Sequence, residues 1–205
     1  MSDTEPQPAA PTVPRSGRWP AAGLSSGPVA LRVWRPADAP TMLVELSDPS
    51  VRRWSPMFDV PDLSSCQQRI ATAQAAEEAG LPASFAVVDR DRPEQVLGSV
   101  DWRNVFPPMF SVLDVGYAVV PAARGRGVAS TALRLLTEWL LDPEGGDVLR
   151  VQLDHAVANE ASCRTALRAG FTIEGRRPCY LPLREGPDDP IIRHPVCLHG
   201  RVRPG

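Results

Sequence analysis

Between Pro121 and Ser130 the chain reads PAARGRGVAS, two arginines and two glycines at the entrance to an apolar-periodic run. These residue types at this spacing suit a phosphate-bearing ligand. Pro121 lacks an amide donor and fixes φ, so the strand before it, Phe110 to Val120, should stop there. Gly125 and Gly127 permit φ > 0 and let the backbone come close to a bulky anion. The amides from about Arg126 to Ser130, those of Val128 and Ala129 included, lack intrahelical acceptors and lie at the positive end of a helix dipole. Arg124 and Arg126 add guanidinium forks matched to phosphate oxygens. The turn contains no G-x-G-x-x-G and no Gly-Lys-Ser/Thr, so neither a dinucleotide fingerprint nor a Walker A loop is present. The chain has no lysine at all.

A second segment lies one strand (Val148 to Asp154) and one turn downstream: Asn159-Glu160-Ala161-Ser162, then Gly170-Phe171 and Glu174-Gly175. Asn159 is placed to cap a helix. The Ser162 hydroxyl either bonds back to that helix or faces a ligand.

The R-x-x-G-x-A of Arg124, Gly127 and Ala129, followed by N-x-x-S and GF-x-x-EG, resembles the Gcn5-related N-acetyltransferase (GNAT) superfamily. Within it the chain is similar to the RimJ/RimL branch, which acetylates ribosomal-protein N-termini. The segments LRVWRPADAP, DPSVRRW and LGSVDW match in position, and the resemblance runs from Val29 to Val202.

That resemblance implies acetyl-CoA as co-substrate, with its pyrophosphate at Arg124–Ser130. It implies a pantetheine arm paired with the backbone of Gly116 to Val120, making Tyr117, Ala118, Val119 and Val120 cofactor contacts. A free N–H near Ala118 or Val119 would polarise the thioester carbonyl, a contribution of a few kcal/mol to the barrier. It further implies that Ser162 protonates the departing thiolate and that Asn159 contacts the cofactor. The tyrosine many relatives carry in this helix is replaced by Ala166. No metal is called for.

The base has three candidates. Asp114, at the entry of the pantetheine strand, matches a position often acidic in relatives. It could accept a proton directly or through water, or be a solvated strand-edge carboxylate. His155 shares the parity of Val151 and Leu153 and should face inward, as a proton carrier or as a satisfied core histidine. Asp101 is the third. The expected acceptor is a primary amine, foremost the N-terminal α-amine of a protein or peptide. With a pKa near 8, about a tenth of an α-amine is already neutral at pH 7, unlike a lysine. Acetylation of a small-molecule amine, or a catalytically silent acyl-CoA-binding module, are the alternatives. Trp54, Met57, Phe58 and Trp102 read as pocket or core aromatics. The acceptor pocket falls to Trp54 to Leu63 and Pro178 to Pro190.

The elements that must hold these groups follow from periodicity. Val128, Ala129, Ala132, Leu133, Leu135, Leu136, Trp139 and Leu140 recur at helical spacing, with Thr131, Arg134 and Glu138 between them. Helices are expected over Ala37 to Leu46, Leu63 to Ala79, after Gly125 and after Asn159. Strands are expected at Val29–Trp34, Ser84–Asp89, Val96–Arg103, Phe110–Val120, Leu149–Asp154, Phe171–Gly175 and Pro195–Val202. The fold class is thus α/β (α+β): a mixed, mostly antiparallel sheet with a β-α-β acyl-CoA-binding core flanked by helices. The resemblance adds that two central strands splay apart.

At 205 residues the chain has room for one full core. Residues 1–28, rich in proline, read as a disordered tail, leaving 29–205 as the acyltransferase domain. No signal peptide or bilayer-spanning stretch is present, which points to the cytoplasm and away from membranes. A net charge of −2 removes the electrostatic basis for nucleic-acid binding. All 22 basic residues are arginine, the mark of a high-GC, bacterial genome, and self-acetylation has no lysine target. Four cysteines without C-x-x-C spacing and three histidines without ligand spacing argue against a metal site or disulfide framework. A monomer or homodimer is expected.

Overall fold

The computed structural model describes residues 19–144, 148–184, 186 and 189–204. In chain order the strands are β1 (Leu24–Ser26), β2 (Val29–Arg32), β3 (Ser84–Asp89), β4 (Val96–Arg103), β5 (Val112–Val119), β6 (Arg150–Ala156), β7 (Thr172–Leu183) and β8 (Ile192–Val202). The helices are α1 (Ala39–Ser47), α2 (Pro49–Trp54), α3 (Leu63–Glu78), α4 (Val128–Leu140) and α5 (Glu160–Arg168). One sheet takes the order β1-β2-β3-β4-β5-β6-β8-β7. Among the described strands only β5 and β6 run parallel, and α4 makes the crossover between them.

Residue alternation builds a core on each face of the sheet. Val29, Leu31, Phe85, Val87, Val100, Trp102, Leu113 and Val115 point toward α4 and pack on Leu133, Leu136 and Leu140. Ala86, Val88 and Val96 point the other way, onto Met42 of α1 and Cys66, Ile70 and Ala73 of α3. The expected α4 stripe is buried, except that Ala129 and Trp139 are only partly covered, and Thr137 joins it.

The α1 side is pinned locally. Asp38 is buried and accepts both forks of Arg32 at 2.7 and 2.9 Å and the Arg35 amide at 2.7 Å. Asp62 caps α3 by accepting from the Ser65 amide at 2.7 Å. Gly80, at φ +66, ends that helix as expected, with its amide bonded to Glu77 O and that of Leu81 to Ala76 O.

Three expectations change. The domain does not begin at Val29: β1 pairs with β2, and Trp19 is buried and stacked on Phe85 with ring centroids 3.8 Å apart. A tryptophan that can cover a core phenylalanine gains more from burial than its proline-rich neighbourhood suggests. Residues 1–18 of the expected tail lie outside the described residues. The strand expected over Phe171–Gly175 runs on to Leu183, because β7 is the sheet's last strand and an edge tolerates Pro178 and Pro182. A register shift between Arg177 and Leu181 carries Cys179 at φ +49. Finally α2, capped by Asp48 through the amides of Ser50 and Val51, had not been anticipated.

Candidate active site

β5 and β6 pair through only three rungs, Val112 with Arg150, Leu113 with Val151 and Asp114 with Gln152. Beyond Asp114 they part. β6 continues against β8, while β5 stays on β4 from Asp114 to Val119 and shows β6 an unpaired edge. Tyr117, Ala118 and Val119 therefore line an open seam in the middle of the sheet. Val120 turns away with its amide bonded to Leu97 O, and Pro121 opens the turn.

Past Pro121 the chain takes the backbone course expected of it. Gly125 and Gly127 sit at φ +74 and +76, and a Cβ on Gly125 would meet nothing within 4 Å. The glycines are there for backbone conformation, and the space before them is open. Gly127 caps α4 with no side chain over the amides of Val128 and Ala129, so the helix's positive end is left for a ligand. The Ser130 hydroxyl donates back to Gly127 O at 3.0 Å. Arg126 is exposed. Arg124 is not free: its Nε donates to Val119 O at 3.3 Å and its Nη2 to the carboxylate of Asp48. Burial alone would raise Asp48, but the Arg124 hydrogen bond and the helix amides hold its carboxyl below the usual range.

On the α4 face of the seam, the Tyr117 hydroxyl donates to Ser162 Oγ at 3.0 Å. Ser162 is buried in the first turn of α5, whose cap Asn159 accepts from the Ser162 amide at 3.2 Å. The phenol that the resemblance placed in α5, at Ala166, comes here from β5 instead. Ala166 is fully buried.

The opposite face is acidic. Asp101 faces Gly116 across the β4/β5 ladder, and its carboxylate occupies the space a Cβ at Gly116 would need, 2.7 Å from Oδ1. Beside it Glu45 of α1 accepts from Ser99 Oγ at 2.5 Å, while its other oxygen has no partner among the described residues. Burial, reinforced by Asp101 and opposed by Ser99, lifts Glu45 to about 7. Asp101, with a side chain 32% exposed, is also raised by desolvation, against the pull of Arg103. Asp114 and Asp154 stand further along the same face and are raised by burial, with Arg103 and Arg177 opposing.

His155 faces inward as its parity predicts, but both its ring nitrogens have protein partners, Ala156 O at 2.9 Å and His199 Nε2 at 3.0 Å. Cys163 lies beside them, and one ligand atom from each of His155, His199 and Cys163 falls within 4.8 Å of the others. Spacing along the chain argued against a metal-ligand set; folding nevertheless brings these three together, because β6, β8 and α5 meet only in three dimensions.

Trp102 is core, at 2% exposure. Phe58 lies under the guanidinium of Arg184, 5.2 Å away, so the segments before α3 and after β7 do converge. Residues 185, 187 and 188 of the second segment lie outside the described residues. Sequence reasoning missed Glu45 because an acid within an apolar helix stripe gives no sign of its partners; Gly116, opposite Asp101, was the available signal.

The acetyltransferase (GNAT) domain family matches residues 29–172. The chain belongs to the GNAT family. Its fold is that of solved GNAT acetyltransferases. RimL, a ribosomal L7/L12 α-N-protein acetyltransferase in complex with coenzyme A, superposes with a TM-score of 0.72 at 19% identity, over 86% of this chain and 95% of that one. Ribosomal-protein-S5-alanine acetyltransferase from Vibrio fischeri gives 0.74 at 19%, over 88% and 96%. The microcin C7 self-immunity acetyltransferase MccE, in complex with acetyl-CoA and AMP, gives 0.74 at 16%, over 90% and 98%. Comparison with curated protein sequences returns no match. As a GNAT enzyme the chain is an acetyl-CoA-dependent N-acetyltransferase. None of its described helices is long and apolar enough to cross a membrane.

Proposed function

We propose that this GNAT enzyme acetylates the N-terminal α-amine of a protein or peptide, and that the two faces of the seam divide the chemistry. The parting of β5 and β6 after Asp114 carries the reading. Coenzyme A enters from the α4 side, its paired phosphates on the amides of Val128, Ala129 and Ser130 and on Arg124 and Arg126. Its pantetheine arm pairs with the free edge of β5 along Tyr117 to Val120, and an amide near Ala118 polarises the thioester carbonyl.

The amine arrives from the α1 side, where Asp101, Asp114 and Asp154 attract a cation. Asp101, the exposed member of the pair, takes the ammonium proton. Glu45 behind it, poised near 7, keeps the pair able to accept that proton at neutral pH. The neutral amine attacks, the tetrahedral intermediate collapses, and the thiolate leaves on the α4 side. There Tyr117 donates to Ser162, which frees the Ser162 hydrogen for the sulfur. Asn159 holds the helix turn that carries Ser162. Asp114 attracts the cation and His155 has no part in the proton path. Proximity supplies the remaining acceleration.

Three facing aspartates also suit a polycationic small molecule. A panel separates the readings: peptides with varied first residues, aminoglycosides and amino-nucleotides, each scored for free thiol, with product masses locating the acetyl group. Acetyl on a peptide's α-amine is expected. Turnover of small amines alone would replace this reading, and thiol release with none would leave a silent binding module.

A further inference from the structure

We infer that His155, His199 and Cys163 form a three-ligand site for a thiophilic divalent cation, zinc above all, at the seam where α5 crosses β6 and β8. One ring nitrogen of each histidine and the Cys163 sulfur lie within 4.8 Å of one another, and the two Nε2 atoms are 3.0 Å apart. Two nitrogens on a tetrahedral zinc ion at about 2.0–2.1 Å stand roughly 3.3 Å apart, so the histidines need little adjustment.

The hydrogen-bond pattern leaves the His155 lone pair where a cation would use it, and a change of tautomer brings that of His199 there. A carbonyl only accepts, so His155 Nδ1–H donates to Ala156 O and its Nε2 carries a lone pair. The hydrogen between the rings then belongs to His199 Nε2, and His199 Nδ1 is a buried nitrogen with no partner among the described residues. Burial and the neighbouring His155 both push His199 down, in the direction of the neutral ring a cation needs. The His155–Ala156 carbonyl bond is the orienting contact that metal-bound histidines commonly have.

Binding releases the Cys163 thiol proton, while the proton between the rings moves to His199 Nδ1, so both histidines stay neutral. It ties the first turn of α5, where Ser162 precedes Cys163, to two strands of the sheet, so the metal stiffens the wall of the thiolate side without joining the reaction.

Cobalt(II) titration of the full chain tests this. One equivalent should produce a thiolate-to-cobalt charge-transfer band in the near ultraviolet with tetrahedral d–d bands in the visible, and zinc should abolish both. Cys163→Ser should lose the charge-transfer band while Cys66→Ser keeps it, and zinc should raise the Tm of the wild type but not of Cys163→Ser. No band in the wild type, or a band that survives Cys163→Ser, overturns the site; the wild-type titration decides even if a variant fails to fold.

Discussion

Arg124 reaches across from the phosphate turn and is held by the carboxylate of Asp48, the residue that caps α2. The guanidinium proposed to grip a diphosphate thus already has an anion, which coenzyme A would have to displace. This contact joins the glycine-arginine turn to the α1–α2 corner.

Asp48→Asn keeps an oxygen for the amides of Ser50 and Val51 but removes the competing charge. Coenzyme A should then bind several-fold more tightly, since a partly exposed ion pair is worth about 1 kcal/mol at most. Arg124→Ala should weaken binding about tenfold, the loss of one charge-assisted hydrogen bond. Calorimetric titration of both variants reads this; equal affinities would remove Arg124 from the site.

Ser162 and Tyr117 should behave as one unit. Ser162→Ala is expected to lower kcat about 100-fold with little change in coenzyme A affinity, in the range for loss of a general acid. Tyr117→Phe should cost less, and the double variant no more than Ser162→Ala alone. Additive losses would show that the 3.0 Å bond between them does not pass a proton.

Glu45 makes stability depend on pH with a definite sign. Its folded value of about 7 lies above the ordinary 4.5, so the folded state holds a proton that the unfolded state releases. The native state is favoured most below pH 4.5 and loses that advantage as pH rises to 7, by about 3 kcal/mol in all. Glu45→Gln removes the dependence, so urea midpoints of variant and wild type should diverge between pH 5 and pH 8 in the variant's favour. Parallel curves would contradict the burial of an ionisable carboxyl there.

Trp19 belongs to the core, so a chain starting at Trp19 should keep the Tm of the full chain, whereas one starting at Val29 should lose it. Trp19→Ala alone should destabilise by about 3–5 kcal/mol. Thermal unfolding of the three proteins decides where the domain starts.

Much of the turn and helix after β5 was legible because it is local. Gly125 and Gly127 announce their φ, Pro121 ends its strand, and the apolar stripe from Val128 to Leu140 has one period; β3 and β4 fall at their expected bounds. What stayed hidden is non-local. Nothing around Trp19 tells that Phe85 awaits it, and nothing around Glu45 tells that Ser99 and Asp101 do. His155 and His199 are 44 residues apart and meet only because β8 lies beside β6. The length of β7 was obscured by prolines that signal an ending, yet are harmless at an edge.

The division of labour between the two faces is tested most directly by the pH dependence of kcat/KM on an α-amine peptide. The wild type should show a rising limb centred near pH 7, and both Asp101→Asn and Glu45→Gln should lower the rate and remove or displace that limb, while Ser162→Ala keeps it. An unchanged limb in the two carboxylate variants would contradict the account, and the amine's proton would have to leave by another route.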